Sequence, residues 1–147
     1  MSHDLHVDDL TDLWRLGAVL LPTVAIQYAT MASELHKTAL NEGPAFERSK
    51  SGPTKLLTAW TELRDTMQDQ IAVKTHQRLL TAGEALKQIA EGYATTDYLS
   101  AEDIARFNEE IENANNDPVF EPPPYVPDAP STDDPHPEEN PPDERGR

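Results

Sequence analysis

An all-α chain folded as an antiparallel helical hairpin is what this sequence predicts, and three observations carry the prediction. Apolar residues recur at alternating steps of four and three over two long stretches, which is the period of a helical seam rather than of a strand. Helix-breaking residues cluster between the two stretches, in "NEGPAFERSKSGP" from Asn41 to Pro53. No sustained alternation rich in β-branched residues is present to argue for a sheet.

The first arm steps through Leu10, Trp14, Gly17, Leu21, Val24, Tyr28, Met31 and Leu35, widened by Leu13, Leu16, Leu20 and Ile26. Asp8 or Asp9 is placed to cap its start. Pro22 falls inside it, where a proline removes one hydrogen bond and costs about 3 kcal/mol. A kink is expected there, within one bent arm, because the apolar pattern keeps its phase across the proline. Asn41, Gly43 and Pro44 are expected to stop the arm. Pro53 suits the first turn of the next one.

The second arm is expected from Thr54 to about Gly92. Its seam runs Leu56, Trp60, Leu63, Met67, Ile71 and resumes as Leu79, Ala82, Leu86, Ile89, Tyr93. Between the two halves, in "AVKTHQR", the pattern drifts as it does at a stutter. Arms of about 34 and 40 residues would each span roughly 50 to 60 Å at the helical rise. Thr95 and Thr96 weaken the end of the arm. "SAED", with Ser100 and Asp103, reads as a capping box that starts a short extra helix to about Ala114.

The chain therefore divides into an N-terminal extension (1–7), a helical domain (8–116) and a tail (117–147). The tail holds ten of the 13 prolines, and nine acids against two arginines. It has too little apolar surface to offset its ordering entropy, so it is expected to be disordered and extended, with local polyproline II.

Formal net charge is −15, from 27 acids and 12 bases. Such a chain repels nucleic acid and anionic lipid, and a charged partner would be basic. With no cysteine, disulfides and thiolate metal sites are excluded. The opening residues are acidic where a secretory signal would be basic. The most apolar run, "LWRLGAVLLPTVAI", is short and interrupted by Arg15 and Pro22, so stable membrane insertion is not expected. The protein should either stay in the cytoplasm or leave by a route without a cleavable signal.

No phosphate loop, HExxH or GxSxG motif is present, and no catalytic residue, cofactor or metal is predicted. "HDLH", His3 to His6, lacks a placed third ligand and reads as a polar terminus. Pro122, Pro123 and Tyr125 match the PPxY pattern of WW-domain ligands, although a tail this rich in proline produces such a match cheaply and a stiff spacer is the plainer reading.

A bare hairpin leaves apolar residues on its outer side. Leu13, Leu16, Leu20, Ile26 and Leu57 cannot all face one partner arm, and exposed apolar patches mark binding faces. The expected interface comprises Leu13, Trp14, Leu16, Leu20, Leu21, Trp60, Leu63 and Met67. It would be completed by a second helical hairpin or a second copy, although Trp14 and Trp60 read equally as core anchors.

The end of the second arm carries "IAEGYATTD", with Tyr93 and Asp97 four residues apart and so on one helical face. A Tyr-x-x-x-Asp motif closing the second helix of an acidic hairpin resembles substrates of the actinobacterial type VII secretion system. These are the WXG-motif proteins and their EspC-like secretion-associated relatives, and "LHVDDLTDLWRLG" is similar to the opening of the EspC-like branch. The resemblance covers roughly residues 5 to 100. It implies a non-enzymatic substrate or secretion partner, read by a secretion ATPase through Tyr93 and Asp97 and exported without a cleavable signal. Trp60 is followed by Thr61 and Glu62, so Trp-x-Gly is absent. The family's bipartite signal then implies either that this chain offers the tyrosine and its partner the tryptophan, or that it is a substrate of the looser kind that lacks Trp-x-Gly. Tyr98 and Glu102 repeat the spacing but straddle the cap at Ser100, and read as an echo. Tyr93 also continues the column of Leu86 and Ile89, so the last residue of a core is the competing interpretation. A cytoplasmic helical adaptor or chaperone, or a homodimeric four-helix bundle, are the alternative functions.

Overall fold

The computed structural model describes residues 7–46, 55–96, 99–116, 122–123 and 125–135. The fold is an all-α helical hairpin with a shorter third helix. Helix α1 (Val7–Arg15) passes through a π segment (Leu16–Leu20) into α2 (Leu21–Thr38), then a 3-10 turn (Ala39–Asn41) and α3 (Glu42–Phe46). Helix α4 (Lys55–Asp65) passes through a second π segment (Thr66–Val73) into α5 (Lys74–Ala94), and α6 (Ala101–Asn116) follows. The helix restart expected at Pro53 and the polar terminus at His3 to His6 lie outside the described residues.

The predicted breaks are absorbed rather than obeyed. Val7 to Phe46 is one continuous helical run. Where Pro22 enters, Leu21 N–H already reaches back to Leu16 O, the five-residue spacing of a π turn. That extra residue relieves the crowding a proline ring imposes on the preceding turn. Pro44 sits in the first turn of α3, where a missing N–H deprives no carbonyl of its partner. Asp8 and Asp9 lie within the first turn of α1 instead of capping it, still favourable against the positive end of the helix dipole. By length and composition the Val7–Phe46 run is now apolar enough to cross a membrane. A core helix passes the same test.

Two compact units share these helices. In the first (residues 1–26 and 77–126), the core joins Val7, Leu10 and Trp14 of α1, Ala90 and Ala94 of α5, and Phe107 and Ala114 of α6. Helix α6 is thus a packing element. Thr11 Oγ1 donates to Glu110 Oε2 at 2.7 Å, Arg106 pairs with Asp8 at 2.5 Å, and Trp14 Nε1 donates to Glu91 Oε1 at 3.2 Å. Gly17 and Gly83 meet backbone to backbone: a Cβ on Gly17 would lie 2.4 Å from Gly83 O, and one on Gly83 2.6 Å from Gly17 O.

In the second unit (27–76 and 127–147), α2 buries Ala29, Ala32 and His36, and the α4–α5 arm buries Arg64, Gln68, Ala72 and His76. Arg64 is held by Glu42 and by Asp65, the latter through Nε at 2.9 Å. Trp60 Nε1 also donates to Glu42 Oε1, at 3.1 Å, and its ring lies 6.5 Å from that of Phe46.

The seam is one residue away from the predicted one. Val24, Tyr28, Met31 and Leu35 were the expected line; Ala25, Ala29, Ala32 and His36 are buried instead. Leu63, Met67 and Ile71 give way to Arg64, Gln68 and Ala72, and Ala82, Ile89 and Tyr93 to Gly83, Ala90 and Ala94. A shift of one residue is a rotation of about 100°. In the first unit the small residues inside, Gly83, Ala90 and Ala94, allow close backbone approach, whereas the second unit buries His36, Arg64 and Gln68 beside its alanines. In the first arm the shift begins after the π segment, which supplies one extra residue.

Candidate functional site

The exposed apolar column and the end of α5 are the two features that carry functional information. Leu56, Leu63, Met67 and Ile71 are exposed on the second arm, with Leu63 at 53%. Leu16, Leu20 and Val24 are exposed on the first, with Leu20 at 52%. Of the residues predicted for a partner interface, Leu16, Leu20, Leu63 and Met67 therefore face solvent. Leu21 and Trp60 are half-buried. Leu13 packs on the α1–α5–α6 core and Trp14 is 4% exposed within it. Trp14 is thus a core residue rather than partner surface, and Leu13 is half-buried against that core.

Helix α5 ends by tightening. Thr95 N–H bonds Gly92 O and Thr96 N–H bonds Tyr93 O, both at 3.2 Å, and both hydroxyls return to the same carbonyls, at 2.9 and 2.8 Å. Two adjacent threonines thus satisfy the last carbonyls themselves and replace further helical turns. Ala94 points into the core, and Tyr93, one residue before, is 48% exposed. Tyr93 is therefore half-exposed at the end of that column rather than enclosed in the core. Asp97 and Tyr98 lie outside the described residues.

The next helix starts as "SAED" predicts. Asp103 N–H donates to Ser100 Oγ at 3.1 Å, Ser100 N–H to Asp103 Oδ2 at 3.3 Å, and Ser100 Oγ to the same carboxylate at 2.6 Å. These bonds from the Ser100 hydroxyl and amide hold the Asp103 carboxyl below its ordinary range.

The tail departs from expectation in part. Tyr125 to Pro135 holds neither helix nor strand and includes a turn, and two stretches of the tail are anchored. In the first unit Pro122, Pro123 and Val126 line a cleft of about 740 Å³ with Trp14, Pro22 and Ile111. Two prolines of the PPxY match are thereby engaged by the chain itself, and Tyr125 is exposed. In the second unit Gln68 Nε2 donates to Pro130 O at 2.8 Å, and Thr132 donates its N–H to Asp69 Oδ1 at 3.0 Å and its hydroxyl to Oδ2 at 2.5 Å. Proline lowers the entropy that docking must overcome, which a composition argument for disorder leaves out. Gln68, Asp69 and Thr132 left no signal in the sequence beyond being polar.

Among the described residues no group of three or more His, Cys, Asp or Glu side chains is arranged to hold a metal ion. No family model, curated protein or solved structure matches this chain.

Proposed function

We infer that this protein is a non-enzymatic type VII secretion substrate or secretion partner. It pairs with another helical hairpin through its outward apolar column and is guided to export by Tyr93 and Asp97. The observation that supports the reading best is the outward setting of Tyr93 at the last turn of α5, beside a helix end built by Thr95 and Thr96. An exposed ring at a helix terminus is accessible to a receptor, which a buried one is not. Absence of Trp-x-Gly assigns that half of the signal to the partner.

The experiment is export of a Tyr93→Ala, Asp97→Ala double variant, measured in culture filtrate against cell lysate of a secretion-competent host. The expected result is retention in cells, with helical circular dichroism equal to wild type. Undiminished export removes the signal hypothesis. The exposed column also fits a second copy of the chain. Sedimentation of the purified protein distinguishes the two, since a stable homodimer argues against an obligate different partner.

A further inference from the structure

We propose that the cleft of the first unit binds a small ligand made of an apolar body and an ammonium head. The cleft measures about 740 Å³, within the span of small-molecule sites, roughly 300 to 1,000 Å³. Trp14, Pro22, Leu80 and Ile111 give it apolar walls, and the tail adds Pro122 and Val126. The walls thus come from α1, α2, α5, α6 and the tail, all within one compact unit. Pro22 and Pro122 lose no side-chain freedom when a ligand packs on them, so part of the lining is stiff before binding.

The charged residues of the lining select the head group. Glu84, Lys87 and Glu91 line the cleft from one face of α5, three and four residues apart. Lys87 pairs with Glu84 at 3.9 Å. Glu91 is engaged differently: its Oε1 accepts from Trp14 Nε1 at 3.2 Å. An indole N–H is a neutral donor, so it orients the carboxylate without cancelling the charge. Two acids against one base leave the lining with one negative charge in excess, in a chain of net charge −15. Anions are repelled by both, and cations are drawn in.

The Trp14–Glu91 hydrogen bond holds charge and apolar wall together. A nitrogen that pairs with Glu91 therefore brings its apolar substituent against Trp14. Glu91 is itself exposed, so the ion pair supplies selectivity for the head while the apolar walls supply most of the affinity.

The test titrates the full chain at about pH 7 with phenethylamine and with its neutral and anionic counterparts, phenethyl alcohol and phenylacetate. The readout is the indole N–H resonance of Trp14 by NMR, told from that of Trp60 by the spectrum of Trp60→Phe. The amine is expected to shift it saturably with a Kd of about 1 to 10 mM, the affinity open to a ligand of about nine non-hydrogen atoms. The alcohol should bind about fivefold more weakly, the effect of one solvent-exposed ion pair, and phenylacetate more weakly still. Glu91→Gln keeps an acceptor for the Trp14 N–H and should bring the amine to the affinity of the alcohol. Asn115→Asp adds a carboxylate to the lining and should tighten the amine about twofold, a gain that misfolding cannot imitate. The proposal is overturned by an amine that gives no saturable shift, by an alcohol or phenylacetate that binds as tightly as the amine, or by an amine preference that survives Glu91→Gln.

Discussion

Replacing Gly83 by alanine sets two effects of opposite sign against each other. In an exposed helix interior, glycine to alanine gains about 1 kcal/mol of helix propensity. At Gly83 the new methyl would stand 2.6 Å from Gly17 O, where ordinary contact begins near 3.4 Å. The obstacle is a backbone carbonyl, so no side chain can swing away and the helices must separate by roughly 1 Å. A gap of that size forfeits about a quarter to a half of the dispersion energy of every flanking contact. Overpacking costs about 1 to 3 kcal/mol in well-packed interiors, and the flanking loss adds to it. The expected net effect of Gly83→Ala is about 2 kcal/mol of destabilisation. Gly92, with nothing within 4 Å of its built Cβ, is the control and should be stabilised by about 1 kcal/mol. Urea unfolding followed by helical circular dichroism measures both. If Gly83→Ala is stabilised as Gly92→Ala is, the close approach of the two helices is refuted.

Three further outcomes are expected. Phe107→Ala, in the α1–α5–α6 core, should cost about 3 to 5 kcal/mol; in a Trp60→Phe background it should shift Trp14 emission to the red, and an unshifted spectrum would show that α6 does not cover Trp14. Glu42→Ala leaves Arg64 paired with Asp65 alone and removes the acceptor of the Trp60 N–H, and should lower stability by about 1 to 3 kcal/mol in urea titration. Asp103 has its folded pKa lowered, so its contribution is present above the ordinary carboxylate value of 3.8 and is lost as pH falls through and below it. Ser100→Ala should weaken that acid dependence of α6, which wild-type and variant melts in mild acid compare directly.

Helix content was legible because it rests on local signals. The capping box of Ser100 and Asp103 needs only residues three apart, and the alternation of four and three needs only one arm. The identity of the inner face was not legible. Leu63, Met67 and Ile71 outweigh Arg64, Gln68 and Ala72 on any hydrophobicity scale, yet the latter are buried. What buries the latter is pairing with partners far off in sequence, Glu42 for Arg64 and Pro130 for Gln68. The path of α6 onto Leu10 and Trp14 is likewise a long-range fact, visible in the sequence only as Phe107, Ile111 and Ala114 on one helical side. Docking of the tail escaped because Gln68 and Thr132 are unremarkable in composition and meaningful only opposite Pro130 and Asp69.

In the first unit, two stripes one residue apart give α5 two possible inner faces, one holding Gly83, Ala90 and Ala94 and one holding Ala82, Ile89 and Tyr93. Turning α5 by about 100° would exchange them. The bulkier face would bury more apolar area, but it needs a wider spacing between axes, at which the Gly17–Gly83 contact cannot exist. That contact therefore works as a selector. It holds the close spacing of the first unit, so a glycine pair with no side chain of its own determines that Ile89 and Tyr93 lie at that unit's surface.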